Sequence, residues 1–338
     1  MRGWVDQWSS AYFDYLQAPL LERDDARVRW ARQTDDLLAE LSRNLMHPCL
    51  PPEIAPGIEL IIVGGRFAGL PFHAATLADG RYAAEAFDSV TYCPNISVLS
   101  REILSWQKPS CPMFVVSDPA RDLISAAKEC QVVIEKIGSK STGVTIFAQV
   151  GAITGRAAFS ERGITLPADV DIVESAPTPE RLAEFIPSAD HFFYSGHGAR
   201  RADQSGLVVV DDNGHPTMFS ENDILAMHIL RRRPIVVLSA CETAMGGHGS
   251  SELFDTASSF LRVGARFVVG SLWLVIEDCA AEFTAAFYEA LASCEDPSKA
   301  LGSAVRATRQ YRSRVVSSRA IPPDHPIYWA PFMAIRAS

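Results

Sequence analysis

His191-Phe192-Phe193-Tyr194-Ser195-Gly196-His197-Gly198, read beside Pro234-Ile235-Val236-Val237-Leu238-Ser239-Ala240-Cys241-Glu242-Thr243, decides the fold. Each stretch is a short apolar run, rich in Val, Ile or aromatic residues, that ends on glycine or small residues. Such runs read as strands buried on both faces, the habit of a parallel sheet. Helical patterns lie between the strands. The expected class is therefore α/β, a mostly parallel sheet flanked by helices on both faces. In open sheets of this kind, reactive side chains collect just beyond the carboxyl ends of the strands. His197 and Cys241 stand there, the His first, which points to a cysteine nucleophile and its base.

Outward from these two runs, further strands are expected at Leu60–Val63, Phe114–Ser117, Val144–Phe147, Leu207–Val210, Phe267–Leu272 and Phe332–Ile335. Helical periodicity marks Leu123–Ile137, Pro179–Ile186, Ser220–Ile229, Ser251–Val263, Asp278–Ser293 and Ser298–Arg312. Residues 1–46 read as a helical lead-in of two helices parted near Pro19 and the charged stretch Glu22 to Arg27, with Asp35-Asp36 as helix-start acids of the second. His47-Pro48-Cys49-Leu50-Pro51-Pro52 reads as a breaker, after which residues 47–338 form the α/β body, a first half over 47–180 and a second over 181–338. Residues 148–180 show no clear pattern, and no solenoid period is found.

Composition bounds the function. The chain has 338 residues, 48% hydrophobic and 21% charged, with a net charge of −9. An acidic balance argues against a nucleic-acid surface, and Arg231-Arg232-Arg233, the one dense basic spot, reads as a solvated helix end. No uncharged apolar stretch is long enough to span a membrane. Met1-Arg2-Gly3-Trp4-Val5-Asp6-Gln7 lacks the apolar block of a secretory signal, so a reducing cytoplasm is the expected compartment. The seven cysteines are irregularly spaced, with no Cys-x-x-Cys. No phosphate-binding glycine motif occurs, and neither a cofactor nor a metal is expected.

A thiol at its ordinary pKa is only a few per cent thiolate at neutral pH, so a nucleophilic Cys241 needs an imidazole to take its proton. That pairing predicts a thiol more reactive than those of the other six cysteines. Taken singly, His197 reads as a turn histidine and Cys241 as a buried strand-end thiol. At matching strand ends the pair favours catalysis. Gly196 and Gly198 allow a sharp turn and close substrate approach, and the Gly198 and Cys241 N–H groups are candidate oxyanion donors. Met245-Gly246-Gly247-His248-Gly249-Ser250-Ser251 reads as a loop at the rim. His248 is a rival base there, with an exposed loop histidine as the favoured reading. Ser250 and Ser251 do not fit a serine-hydrolase elbow.

These stretches carry a family resemblance. Residues 59–76 contain Leu70-Pro71-Phe72-His73-Ala74 after an opening strand. Tyr92-Cys93-Pro94-Asn95, Ser195-Gly196-His197-Gly198 and Leu238-Ser239-Ala240-Cys241-Glu242-Thr243 follow. Glu252-Leu253, Phe260-Leu261, Gly264-Ala265, Ser271-Leu272-Trp273 and His325-Pro326-Ile327-Tyr328-Trp329-Ala330-Pro331-Phe332 complete the series in order. The set resembles a CHAT domain, a relative of caspases and separases among the caspase-like cysteine peptidases, over roughly residues 35–338.

The resemblance implies a caspase-like fold and hydrolysis of peptide bonds in a protein substrate, with Cys241 as nucleophile, His197 as base and the Gly198 and Cys241 amides as oxyanion donors. It also implies a latent enzyme triggered by an activating protein partner, of the kind found in bacterial defence or regulated proteolysis. Two departures stand out. Gly64-Gly65 replaces a frequent Pro-Asp-Gly. Trp273 is followed by Leu274-Val275-Ile276-Glu277-Asp278 rather than an immediate acidic pair. In separase-like relatives an acid here receives a basic side chain before the scissile bond. Glu277 is the nearest match, with Asp278 beside it. The alternative is that both acids start the next helix. An apolar pocket formed by Trp273, Val275 and Ile276 is the competing specificity, and a catalytically silent caspase-like scaffold is the competing function.

Overall fold

The computed structural model describes residues 2–63, 69–94, 113–120, 122–137, 144–150, 153–154, 156–161, 163–168, 171–173, 176–201, 204–244, 255–294, 296–311 and 320–337. Its strands are β1 Glu59–Ile62, β2 Ser89–Tyr92, β3 Met113–Ser117, β4 Val144–Val150, β5 Ile153–Thr154, β6 Asp171–Val173, β7 His191–Ser195, β8 Gly198–Arg201, β9 Gln204–Val210, β10 Pro216–Ser220, β11 Ile235–Ser239, β12 Phe267–Ser271 and β13 Phe332–Arg336. Its helices are α1 Arg2–Gln17, α2 Arg23–Leu41, α3 His47–Cys49, α4 Ala83–Ala86, α5 Ala126–Ile137, α6 Arg156–Glu161, α7 Pro179–Phe185, α8 Glu221–Ala226, α9 Thr256–Arg262, α10 Glu277–Cys294, α11 Pro297–Gln310 and α12 Pro326–Trp329.

Among the described residues a ten-stranded sheet runs β1-β2-β13-β12-β11-β7-β3-β4-β5, with β6 also on β4. Its pairs are parallel except β12–β13 and β4–β5. Every residue of β3, β7 and β11 is buried, which is why these strands read as unbroken apolar runs. Neighbouring residues on a strand face opposite sides. Phe192 packs on Phe260 of α9 and on Phe114, which stacks on Phe185 of α7, whereas Phe193 packs on Tyr288 of α10. One helical layer thus holds α7, α8 and α9, and the other α5, α10 and α11. The expected architecture, a mostly parallel α/β sheet between helices, is the one observed. No helix among the described residues is long and apolar enough to cross a membrane.

The structure corrects several local readings. α2 begins at Arg23, so Asp24 and Asp25 are its first-turn acids and Asp35-Asp36 lie mid-helix. The chain stays helical through a π turn, Ser42–Met46, and α3, leaving it only at Leu50. Strand β2, Ser-Val-Thr-Tyr, is not among the expected strands, its Ser89 and Thr91 breaking the apolar run. The β8-β9-β10 sheet was read only at its apolar middle strand. α5 starts three residues after the expected Leu123.

Candidate active site

Three adjacent strands end level. Ser117, Ser195 and Ser239 close β3, β7 and β11 in mutual register. The ladder continues past them, with Gly196 N–H donating to Ser239 O (3.2 Å) and Asp118 N–H to Ser195 O (2.8 Å). His197 and Cys241 each follow two residues beyond such an end, on neighbouring strands. Asp122 comes from the turn after β3, and Val275 from the segment after β12. Four consecutive strands of the sheet, β12, β11, β7 and β3, therefore each send one group to the same edge.

The backbone around His197 is held firmly. Its carbonyl accepts from Val208 N–H (2.9 Å) and from the Tyr194 hydroxyl (2.9 Å). A Cβ on Gly198 would stand 1.9 Å from the Cys241 carbonyl oxygen, and one on Gly196 would stand 2.4 Å from the Tyr194 hydroxyl. Both glycines are required by close approach. Gly198 opens β8 against Leu207, so its peptide lies directly against that of Cys241.

The imidazole has a partner that the sequence did not disclose. His197 Nε2 lies 2.7 Å from Asp122 Oδ1, with the His side chain 38% and the Asp side chain 63% exposed. Asp122 is presented by the buried Asp118, whose carboxylate accepts the Asp122 and Leu123 N–H groups. Asp118 itself takes a left-handed φ of 44°. Asp122 lies farther beyond its strand end, Ser117, than His197 and Cys241 lie beyond theirs, and so lacks their spacing. What the sequence could not supply was that β3 pairs with β7.

Cys241 Sγ accepts the Val275 N–H at 3.4 Å. Burial pushes its thiol pKa up, the Val275 bond pulls it down, and the neighbouring Glu242 carboxylate pushes it up again. The net direction is up, opposite to the activated thiol expected from the motif. Burial is the largest cause. Sγ accepts the Val275 N–H and Nε2 meets Asp122, and among the described residues no hydrogen bond joins the thiol to the imidazole. The next residue, Glu242, has a left-handed φ of 57°. Its carboxylate accepts from the Tyr12 hydroxyl (2.6 Å).

Glu277 and Asp278 open α10 as its first-turn acids. Glu277 Oε1 accepts the Ser125 N–H at 2.6 Å, on the approach to α5. Trp273 is fully buried, its indole N–H donating to Ile327 O (3.0 Å). Val275 and Ile276 are partly buried. His248 and the rest of the Met245–Ser251 stretch lie outside the described residues, as do Gly64-Gly65 and Asn95.

Among solved structures, the chain resembles separase in the Saccharomyces cerevisiae separase–securin complex at 15% identity and TM-score 0.45, covering 73% of this chain and 14% of that one. It resembles the Arg-specific cysteine proteinase gingipain R (RGPB) at 11% identity and TM-score 0.44, covering 90% and 66%. The chain thus spans about a seventh of the first and two thirds of the second. No curated protein matches it. The CHAT domain model matches residues 35–337, which hold every described strand and both His197 and Cys241, and the chain belongs to the CHAT domain family.

Proposed function

We propose that this chain is a CHAT-type cysteine endopeptidase that cleaves a protein substrate through His197 and Cys241 and rests in a latent form. The observation that carries the reading is the placement of these two residues, each two positions beyond the level ends of the paired strands β7 and β11. In the working enzyme the Cys241 thiol gives its proton to His197, and Sγ bonds to the scissile carbonyl carbon. The N–H groups of Gly198 and Cys241 receive the developing oxyanion. The C–N bond then breaks, and the leaving amine takes the proton from His197. Water hydrolyses the remaining thioester. Asp122 accepts a hydrogen bond from Nε2–H, which leaves Nδ1 as the basic nitrogen.

Latency is supported by the raised thiol pKa and by the bond that Sγ accepts from the Val275 N–H. An activating protein partner, in a regulated-proteolysis or bacterial defence setting, would rearrange the Cys241 turn so that the thiol meets Nδ1. For specificity, Glu277 Oε2 has no hydrogen-bond partner among the described residues, while Oε1 holds Ser125. With Asp278 alongside, it would receive a basic side chain before the scissile bond.

The same observations favour one second reading, a silent scaffold that retains the fold for binding. A fluorogenic peptide library, run on wild type and on Cys241→Ala with and without cell extract, separates the two. Cleavage lost in Cys241→Ala supports the peptidase. No Cys241-dependent cleavage under any condition leaves the scaffold.

A further inference from the structure

We propose that Tyr12, on the N-terminal helix α1 outside the family-matched region, is a positioning residue for the nucleophile, acting through Glu242 and through the Leu274–Val275 peptide. The inference rests on Cys241 being the reactive residue.

One hydroxyl reaches both sides of the thiol. Tyr12 Oη donates to Glu242 Oε1 at 2.6 Å and accepts the Leu274 N–H at 2.8 Å. Glu242 is the residue directly after Cys241. Leu274 directly precedes Val275, whose N–H meets Sγ. The left-handed conformation of Glu242 is unfavourable for a residue with a Cβ, and a conformation of that kind persists only where its surroundings hold it. The Tyr12 hydroxyl is the bond that holds this side chain. Burial, followed by the Glu242 charge, keeps the phenol pKa far above its ordinary value, so the hydroxyl remains a donor across the working pH range. The titratable groups that face it are Glu242 and Cys241.

The ring is fixed independently of the hydroxyl. Tyr12 is fully buried. It packs on Trp30 with ring centroids 5.0 Å apart and stacks on Trp8 at 6.3 Å. Trp8 and Trp30 both meet Trp273 edge-on, at 5.8 and 6.0 Å. Trp8 Nε1–H donates to Thr34 Oγ1 (3.0 Å), whose hydroxyl donates to Trp30 O (2.9 Å). Four aromatic rings thus clamp α1 and α2 onto the segment that begins at Trp273. Removing the hydroxyl alone leaves this clamp in place, which allows positioning to be tested apart from folding.

The test compares wild type, Tyr12→Phe, Glu242→Gln, Glu242→Leu and Tyr15→Phe as full-length chains. Tyr15 stacks on Trp30 from the same helix and is the control. Two readouts are taken: iodoacetamide labelling of Cys241 against pH, followed by mass spectrometry, and kcat and KM on the best library peptide. Tyr12→Phe is expected to move the labelling profile to lower pH as the Cys241 turn relaxes and water reaches the thiol. It is expected to lower kcat by about 10- to 100-fold, the scale of a small misplacement of a reacting group, with KM within about twofold. Tyr15→Phe should match wild type in both readouts. Should Tyr12→Phe fail to fold, kcat decides between Glu242→Gln, which keeps an acceptor for the Tyr12 hydroxyl, and Glu242→Leu, which keeps none: a fall in Glu242→Leu beyond that of Glu242→Gln is expected, and equal kcat in the two overturns the proposal. A Tyr12→Phe profile superimposable on wild type overturns the proposal, whatever the wild type cleaves. A shifted profile in a protein that cleaves nothing removes the peptidase reading and leaves the positioning role standing.

Discussion

His197 Nε2 and Asp122 Oδ1 stand 2.7 Å apart across the ends of two paired strands, β7 and β3. The bond fixes which ring nitrogen carries the proton and how the ring is turned. His197→Ala or Cys241→Ala should abolish cleavage, a loss on the order of 10⁴-fold or more. Asp122→Asn should cost less, roughly 10- to 100-fold in kcat/KM, because the pair is substantially exposed and water substitutes in part for the carboxylate. Steady-state kinetics on a single peptide would check the ranking. Asp122→Asn equal to wild type would return the contact to a surface ion pair.

The resting thiol should be slow. With burial and Glu242 both raising its pKa, Cys241 at pH 6–7 is expected to take up iodoacetamide after the exposed Cys49 and Cys294. Brief labelling and mass spectrometry read the order directly. Cys241 labelled first in the resting protein would mean that its thiolate is already formed and that no latent state exists.

Gly198→Ala should be nearly as damaging as loss of the dyad. A methyl group there meets the Cys241 carbonyl oxygen at 1.9 Å, so β8 or the Cys241 turn must shift. Loss of kcat/KM of about 100-fold or more is expected, with circular dichroism unchanged. An active Gly198→Ala would show that the two peptides separate when substrate binds.

Specificity turns on Glu277. If its second carboxylate oxygen receives the side chain before the cut, Arg and Lys peptides should be preferred by about 10- to 100-fold over neutral ones. Glu277→Gln should erase that preference while retaining the bond to Ser125. Preference for Leu or Met, unchanged in Glu277→Gln and Asp278→Asn, would make Val275 and Ile276 the pocket wall and leave the two acids as helix-start residues.

The parts of the site that sequence made legible are those whose signal is local. β7 and β11 are buried on both sides, so five consecutive residues in each carry the pattern. The glycines flanking His197 announce a tight approach before its partner is known. Asp122 and Tyr12 carry no such mark. Asp122 lies just before the expected helical run Leu123–Ile137, and its role depends on β3 lying next to β7. Tyr12 reads as one more aromatic on an amphipathic helix, and its hydroxyl meets Glu242 at a separation of 230 residues. The upward shift of the Cys241 thiol is likewise not legible in the sequence. A motif gives the identity of neighbours, while burial and the Glu242 carboxylate set the sign of the shift.

The buried Glu129 of α5 ties together β7 and β11, the strands that lead to His197 and Cys241. Its carboxylate accepts from Ser195 (3.2 Å), Ser125 (3.4 Å) and Thr284 (2.8 Å), and from the Ser239 hydroxyl. Burial outweighs these bonds and pushes its pKa up from 4.5 to about 7. Between those values the folded state keeps a proton that the unfolded chain has released. The stabilising contribution is therefore complete below about pH 4.5, falls as pH rises through about 7, and is flat above. Its upper size is about 3 kcal/mol. His73 and His191, whose pKa values burial lowers to about 4 and about 3, titrate with the opposite sign, but they are common to wild type and Glu129→Gln and cancel in the difference. Urea unfolding of both proteins at pH 4.5, 6 and 7.5 should show wild type losing stability relative to Glu129→Gln as pH rises. A difference independent of pH would mean that Glu129 stays ionised throughout, its four hydroxyl donors outweighing its burial.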